Sequence, residues 1–224
     1  MNPISFVGSA KGDNETGADI ALTLPTHQSK DFALIFMLAD ESGTPGTFGI
    51  AGASGWTELD SRNVTAGGDK DVAVFYKLLG TSETNPTCTF NQTDEFSAIV
   101  VVFRGVDEST PFDDTTNDFI FDDDTNNINP INPAITTETD NAAVVIWAGF
   151  SNNHLDTAGA PTSFTLADSI EGSDKGQRQQ EVAYDLDAGV AGTVTPTAWQ
   201  NTASVTNVAD AAMYQGGYLR SLPR

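Results

Sequence analysis

Ser97-Ala98-Ile99-Val100-Val101-Val102-Phe103 is the stretch on which the fold class turns. A nearly continuous apolar run of this kind fits a central strand covered on both faces, or partly covered at an interface. It could also be read as buried helix, but the β-branched residues Ile99, Val100, Val101 and Val102 favour the strand. A second run, Ala33-Leu34-Ile35-Phe36-Met37-Leu38, has the same character. Outward from these two, the apolar segments are short, rich in Val, Ile and Phe, and separated by Gly, Asn, Asp, Thr and Pro. This punctuation is that of strands and turns. Strands are expected near 4–7, 20–24, 32–39, 56–60, 72–79, 87–90 and 96–105, and again near 134–136, 142–150, 164–167, 181–186, 204–206 and 213–220. No segment keeps a helical period over three turns, so the expected class is all-β.

The two halves look related. Asp31-Phe32-Ala33-Leu34 has an echo in Asp140-Asn141-Ala142-Ala143, Gly55-Trp56-Thr57 in Ser163-Phe164-Thr165, and Lys70-Asp71-Val72-Ala73 in Gln180-Glu181-Val182-Ala183. Three anchors follow: Asp31 with Asp140, Trp56 with Phe164, and Val72 with Val182. Phe103-Arg104-Gly105 finds a further echo in Leu219-Arg220-Ser221. The expected architecture is an antiparallel double-sheet β-sandwich, jelly-roll-like, built from two duplicated four-strand halves. One domain over 1–224 is preferred, with halves of about 1–106 and 134–224, because an isolated half would expose an apolar sheet face. Residues 107–133 form an acidic connector between them.

Charge narrows the function. Ten Lys and Arg face 31 Asp and Glu, a formal net charge of −21. Such a surface repels phosphate backbones, so no nucleic-acid partner is expected. No apolar run approaches the roughly 20 residues that cross a bilayer, so no membrane insertion is expected either. The opening Met1-Asn2-Pro3-Ile4 has no basic or apolar leader region, and no signal peptide is expected.

Catalytic signals are sparse. Cys88, the one cysteine, lies in the strand-like Thr87-Cys88-Thr89-Phe90 and reads as a small buried hydrophobe. Gly52-Ala53-Ser54-Gly55-Trp56 lacks the spacing of a nucleophile elbow. His27 and His154 sit in polar loops beside turn residues. With 31 acids, carboxylate pairs occur by chance, so glycoside-hydrolase chemistry cannot be read from adjacency. No catalytic residue is assigned, and a carbohydrate-active or other hydrolytic enzyme stands as the alternative class.

Two candidate contact sites remain. The connector gathers Asp113, Asp114, Asp118, Asp122, Asp123 and Asp124 with Asn126 and Asn127. Alternating Asp and Asn oxygens suit Ca²⁺, which takes 6–8 hard oxygen ligands. Asp122, Asp124 and Asn126 match the first three ligand positions of an EF-hand loop, but Asn127 and Pro133 stand where its glycine and bidentate glutamate belong, so only a looser Ca²⁺ site is expected. The candidate ligands are Asp113, Asp114, Asp118, Asp122, Asp124 and Asn126, and no cofactor is required. Among the aromatic residues, Trp199 in Pro196-Thr197-Ala198-Trp199-Gln200-Asn201 is the least strand-patterned. It is the one expected to be exposed and to touch a ligand or partner, with a host-surface glycan as one candidate.

Pro3-Ile4-Ser5-Phe6-Val7-Gly8-Ser9, Leu22-Thr23-Leu24-Pro25-Thr26-His27-Gln28 with Asp31, Gly55-Trp56-Thr57, and Val102-Phe103-Arg104-Gly105-Val106-Asp107 form a recognisable set. Together they resemble small β-sandwich virion structural proteins of tailed bacteriophages. The resemblance covers mainly the first half and does not extend to the acidic insertion. It implies a non-enzymatic, surface-exposed virion component made in the host cytoplasm. A tail fibre, baseplate or adhesion role is slightly preferred over capsid decoration. Other virion proteins are the expected partners. Edge strands that need covering point to a homo-oligomer, with a trimer favoured.

Overall fold

The computed structural model describes residues 3–40, 44–64, 70–113, 120–124, 129, 134–150, 155–171, 178–203 and 211–220. The first half holds β1 (Ser5–Asn14), β2 (Ile20–Ala21), β3 (Phe32–Asp40), β4 (Phe48–Ala51), β5 (Thr57–Val64), β6 (Lys70–Leu78), β7 (Thr87–Phe90) and β8 (Phe96–Arg104). In the second lie β9 (Ile120–Asp124), β10 (Ile135–Thr136), β11 (Ala143–Phe150), β12 (Leu155–Thr157), β13 (Thr165–Ile170), β14 (Gln179–Asp185), β15 (Thr193–Val194), β16 (Thr202–Ala203) and β17 (Ala211–Leu219). Every named pairing is antiparallel, and no helix occurs among the described residues. The chain is an all-β sandwich.

Each half builds one five-stranded sheet, in the order β1-β8-β3-β6-β5 and β13-β14-β11-β17-β9. Substituting β9, β11, β13, β14 and β17 for β1, β3, β5, β6 and β8 turns the first order into the second. The expected pair of four-strand units is therefore a pair of five-strand units, enlarged by β1 and β9 at matching edges. A bulge also recurs at one place. β5 gains a residue against β6 between Glu58 and Asp60, and β13 gains one against β14 between Leu166 and Asp168.

The two large sheets pack face to face. Phe32, Leu34, Phe36, Leu38, Val101 and Phe103 from one meet Val145, Trp147, Val182 and Leu219 from the other. Both outer faces are covered as well. The sheet β2-β7-β4 closes over Ala33, Ile35, Val100 and Val102. The two-stranded sheet β10-β15 belongs to the opposite side, where Ile135, Val194 and Trp199 pack on Val144, Ile146 and Phe150. Four β-layers thus enclose three apolar layers. This explains the two runs that set the fold class: residues 33–38 of β3 and 97–103 of β8 are buried on both faces. Each fully buried Val, Ile, Leu or Phe contributes about 1.5–3 kcal/mol of transfer free energy, so these strands dominate the stability.

Register corrects two of the three anchors. Lys30 and Asn141 both have positive φ, 76° and 59°, just before the central strands. The Lys30 N–H donates to the Leu79 carbonyl and the Asn141 N–H to the Gly189 carbonyl, both at 2.7 Å. Asp31 therefore corresponds to Ala142 and not to Asp140. Across the shared bulge, Val74 and not Val72 corresponds to Val182, while Trp56 and Phe164 correspond as expected. Both corrections are shifts of two residues. Such a shift leaves every side chain on the same face, so an alternating pattern cannot detect it.

The connector is also corrected. Residues 120–124, read as loop, form the edge strand β9 beside β17. Residues 106–113 act as a strap. The Asp107 N–H donates to the Arg220 carbonyl at 2.7 Å, the Arg220 N–H donates to the Pro111 carbonyl at 2.9 Å, and Phe112 packs edge-on against Phe32 and Tyr76. The strands β4, β12 and β15 are only two to four residues long, too short for an alternating pattern to reveal them. The strand expected at 204–206 lies outside the described residues.

Candidate functional site

The segments that carry the resemblance meet at one end of the first large sheet. β3 starts at Phe32, next to the end of β8, because Phe32 pairs with Phe103. That register brings Asp31 beside Arg104. Arg104 donates from Nε and Nη2 to the two oxygens of Asp31 at 2.8 and 2.7 Å, a bidentate pair. The Gln28 N–H adds a third bond to Asp31 at 2.8 Å. Burial alone raises the Asp31 pKa, but the Arg104 and Gln28 hydrogen bonds outweigh it and the net direction is down. Asp31 is buried while Arg104 reaches solvent, so the pair works as a latch at the sheet end.

Beside the latch opens a cleft of about 360 Å³, lined by Pro3, Ser5, Gln28, Lys30, Arg104 and Glu108. Lys30 pairs with Glu108 at 2.8 Å, so both cations of the cleft are answered by carboxylates. His27 Nδ1 lies 2.8 Å from the Pro25 carbonyl, and its Nε2 is buried without a hydrogen-bond partner. His154 lies outside the described residues. Cys88 is fully buried, and burial pushes its thiol far up, with Asp19 adding to the rise.

A second polar cluster lies between the large sheets. Trp147 donates from Nε1 to Gln180 Oε1 at 2.7 Å, and Gln180 Nε2 donates to Ser97 Oγ at 2.7 Å. Ser97 in turn donates to the Arg178 carbonyl at 2.8 Å. The Arg178 side chain is buried, and its Nη1 meets Glu95 at 2.5 Å. Both halves contribute, so the chain of bonds fixes their mutual register within an otherwise apolar layer. Sequence reading missed it because the partners lie 81 and 83 residues apart and no local pattern joins them.

The predicted contact residues fare differently. Trp199, expected to be exposed, is only 1% accessible and forms part of the third apolar cluster. Its irregular flanks reflect a covering segment and not a solvent-facing loop. Trp147 is equally buried, and Trp56 is half-buried and packs on the second cluster. Asp113 is withdrawn from the acidic connector. Its Oδ2 accepts from the Glu138 and Thr139 N–H groups at 2.7 and 2.9 Å, its Oδ1 accepts from Thr139 Oγ1 at 2.6 Å, and Arg220 Nε lies 3.7 Å away. Asp113 is therefore a turn anchor that a distant arginine folds back to meet, and it leaves the Ca²⁺ set. Asp122 and Asp124 lie on β9, with backbones opposite Met213 and Ala211. Asp114, Asp118 and Asn126 lie outside the described residues. Among the described residues, no three His, Cys, Asp or Glu gather as for a metal ion.

One ionisable group stands out in the second half. Glu181 on β14 is 0% accessible and faces the third apolar cluster with Ala183 and Ala148. Burial pushes its carboxyl up to about 8 and the charge of Glu171 adds to the rise, while the Asn201 amide and the Gly159 N–H pull the other way. The strand pattern gave no sign of it, since Glu181 reads as an ordinary outward position.

The fold and these sites define an all-β sandwich of duplicated plan, fastened by internal polar pairs. No family model matches the chain, and no curated protein or solved structure matches it.

Proposed function

We propose that the chain is a non-enzymatic structural component of a tailed-phage virion. It sits on the particle surface, with a tail fibre, baseplate or adhesion role preferred over capsid decoration. The observation that carries this reading is the convergence of three separate resembling segments, around Ser5, Asp31 and Arg104, on one latch. Asp31 and Arg104 bond to each other and Ser5 pairs with Arg104 along the β1-β8 ladder, an arrangement that suits a scaffold. Four covered β-layers and a seam of buried bonds also suit a rigid building block.

Assembly is part of the proposal. The edge strands β5 and β9 carry Glu58, Asp60 and Arg62, and Asp122, Asp123 and Asp124, and charge of this kind blunts edge-to-edge pairing. Among the described residues only Leu78 and Val190 are large exposed hydrophobics. Contacts in a trimer, or with other virion proteins, would then be polar and dependent on salt and divalent cations. Mass spectrometry of separated heads and tails tests the reading. The chain should appear in the tail fraction; recovery with heads selects decoration, and absence from purified particles overturns both.

A further inference from the structure

The two halves can be compared residue by residue at the end of β6 and β14. In the first half, Ser61 lies opposite Ala73 and Asn63 opposite Asp71. The single carboxylate there is fully answered. Asn63 Nδ2 donates to Asp71 Oδ1 at 2.8 Å and the Gly46 N–H donates to Asp71 Oδ2 at 2.5 Å. In the second half, Ser169 lies opposite Glu181 and Ile170 opposite Gln180. One step further along that register, Glu171 takes the place of Asn63 and Gln179 that of Asp71. A donor has become an acid, and a second acid, Glu181, replaces Ala73.

The exchange leaves oxygen atoms without donors. Both carboxyl oxygens of Glu181, and Oε2 of Glu171, are buried and make no hydrogen bond. The Asn201 amide and the Gly159 N–H lie near enough to Glu181 to lower its pKa, but neither completes a hydrogen bond to it, and the Gly159 N–H itself donates to Asn201 Oδ1 at 2.6 Å. No described Lys or Arg forms an ion pair with either glutamate. Glu171 and Glu181 are diagonal neighbours on one sheet face, with backbones roughly 7 Å apart, so two glutamate side chains can converge on one point. A buried carboxyl without donors either keeps its proton or takes up a counter-charge, and hard oxygens of this kind take Ca²⁺, with water completing its 6–8 ligands.

We propose that Glu171 and Glu181 bind one Ca²⁺ ion in the second half of the sandwich, at the position where the first half is closed by Asn63 and Asp71. The site is separate from the acidic strand β9 and stands whether or not the chain is a virion component. Two protein carboxylates give affinity in the weak range of about 10⁻⁴–10⁻³ M.

The test uses the full chain, stripped with chelator and then titrated with CaCl₂, and compares four proteins. These are wild type, Glu171→Gln, Glu181→Gln, and a triple variant with Asp122, Asp123 and Asp124 changed to Asn. Wild type and the triple variant should gain about 5 °C in Tm at 10 mM Ca²⁺. Both Gln variants should gain nothing. Terbium provides a second readout, because Trp199 belongs to the cluster that Glu181 faces and can sensitise its emission. The emission should vanish in the two Gln variants and persist in the triple variant. Each Gln variant removes a buried charge and is expected to fold, and Glu171 stands half-buried at a strand end. No Tm gain in wild type overturns the proposal, since a shared proton then satisfies the pair. An equal gain in the Gln variants, or loss of the gain in the triple variant, overturns it as well.

Discussion

At matching places the two halves of this molecule treat charge in opposite ways. The first half keeps its carboxylates where donors reach them: Asp71 under Asn63 and Gly46, and Asp31 under Arg104 and Gln28. In the second, Glu171 and Glu181 face a covered layer without donors, and Ala142 stands in place of Asp31. Its arginine at the matching sheet end, Arg220, reaches Asp113 on the inter-half strap instead. One backbone plan therefore supports two electrostatic solutions. In the first the fold satisfies itself; in the second the fold holds an acid that a proton or a cation must neutralise. A duplicated unit can diverge in this way because side-chain exchange at a fixed register leaves the strand ladder intact.

The largest expected effect comes from forcing the first half to imitate the second. Ala73→Glu places a carboxylate in the layer beneath β2-β7-β4, beside the Asp71 already there. Overpacking and burial of an unanswered charge should cost about 4 kcal/mol or more, read as a fall in the urea midpoint or a failure to fold. A stable Ala73→Glu protein would show that the covering layer is wet and would undo the contrast between the halves.

Reversing the asymmetry in the second half is the next largest. Glu181 has a folded pKa of about 8 against an ordinary glutamate value of 4.5. The folded state thus binds the extra proton between those values, and stability falls as pH rises through that window. In chelator, Glu181→Gln should remove this slope and raise stability near pH 8 by on the order of 3 kcal/mol relative to wild type. Urea melts across pH 5 to 9 check it; a wild-type protein with no such slope would mean that Glu181 is answered by a group not identified among the described residues.

Breaking the first-half latch should cost less. Asp31→Asn leaves Arg104 with a neutral partner and removes two charge-assisted bonds, about 2 kcal/mol given that Arg104 is partly exposed. Because the folded pKa of Asp31 lies below its ordinary value, the latch contributes fully above the unfolded pKa near 4 and is lost as pH falls through the lower, folded value. The difference between wild type and Asp31→Asn should therefore shrink in acid. A constant difference down to pH 2 would assign the effect to packing.

The smallest effect concerns the seam between sheets. Lys11 bridges β1 to β13, 3.0 Å from Asp168, but its side chain is half exposed. Lys11→Met should cost about 0.5 kcal/mol and lose even that at 1 M salt. A cost above 2 kcal/mol would mean that the hydrogen bond from Lys11 to the Ser169 carbonyl fixes the sheets together.

Much of this protein is determined locally. The Val- and Ile-rich runs, the Gly, Asn and Asp punctuation and the lack of helical period are enough for the all-β class, for most long strands and for the repeated plan. Alternation carries that information because neighbouring side chains point to opposite faces. What alternation cannot carry is register, since a shift of two residues preserves every face, and so the pattern pairs Asp31 with Asp140 where the backbone pairs it with Ala142. Nor can it carry what covers a face. Trp199 reads as exposed until its own segment folds over the outer face of β11, and Asp113 reads as a free ligand until Arg220, far along the chain, returns to it. The tertiary structure alone decided which carboxylates meet donors, because desolvation and hydrogen bonding act between residues that are distant in sequence and adjacent only in the packed layers.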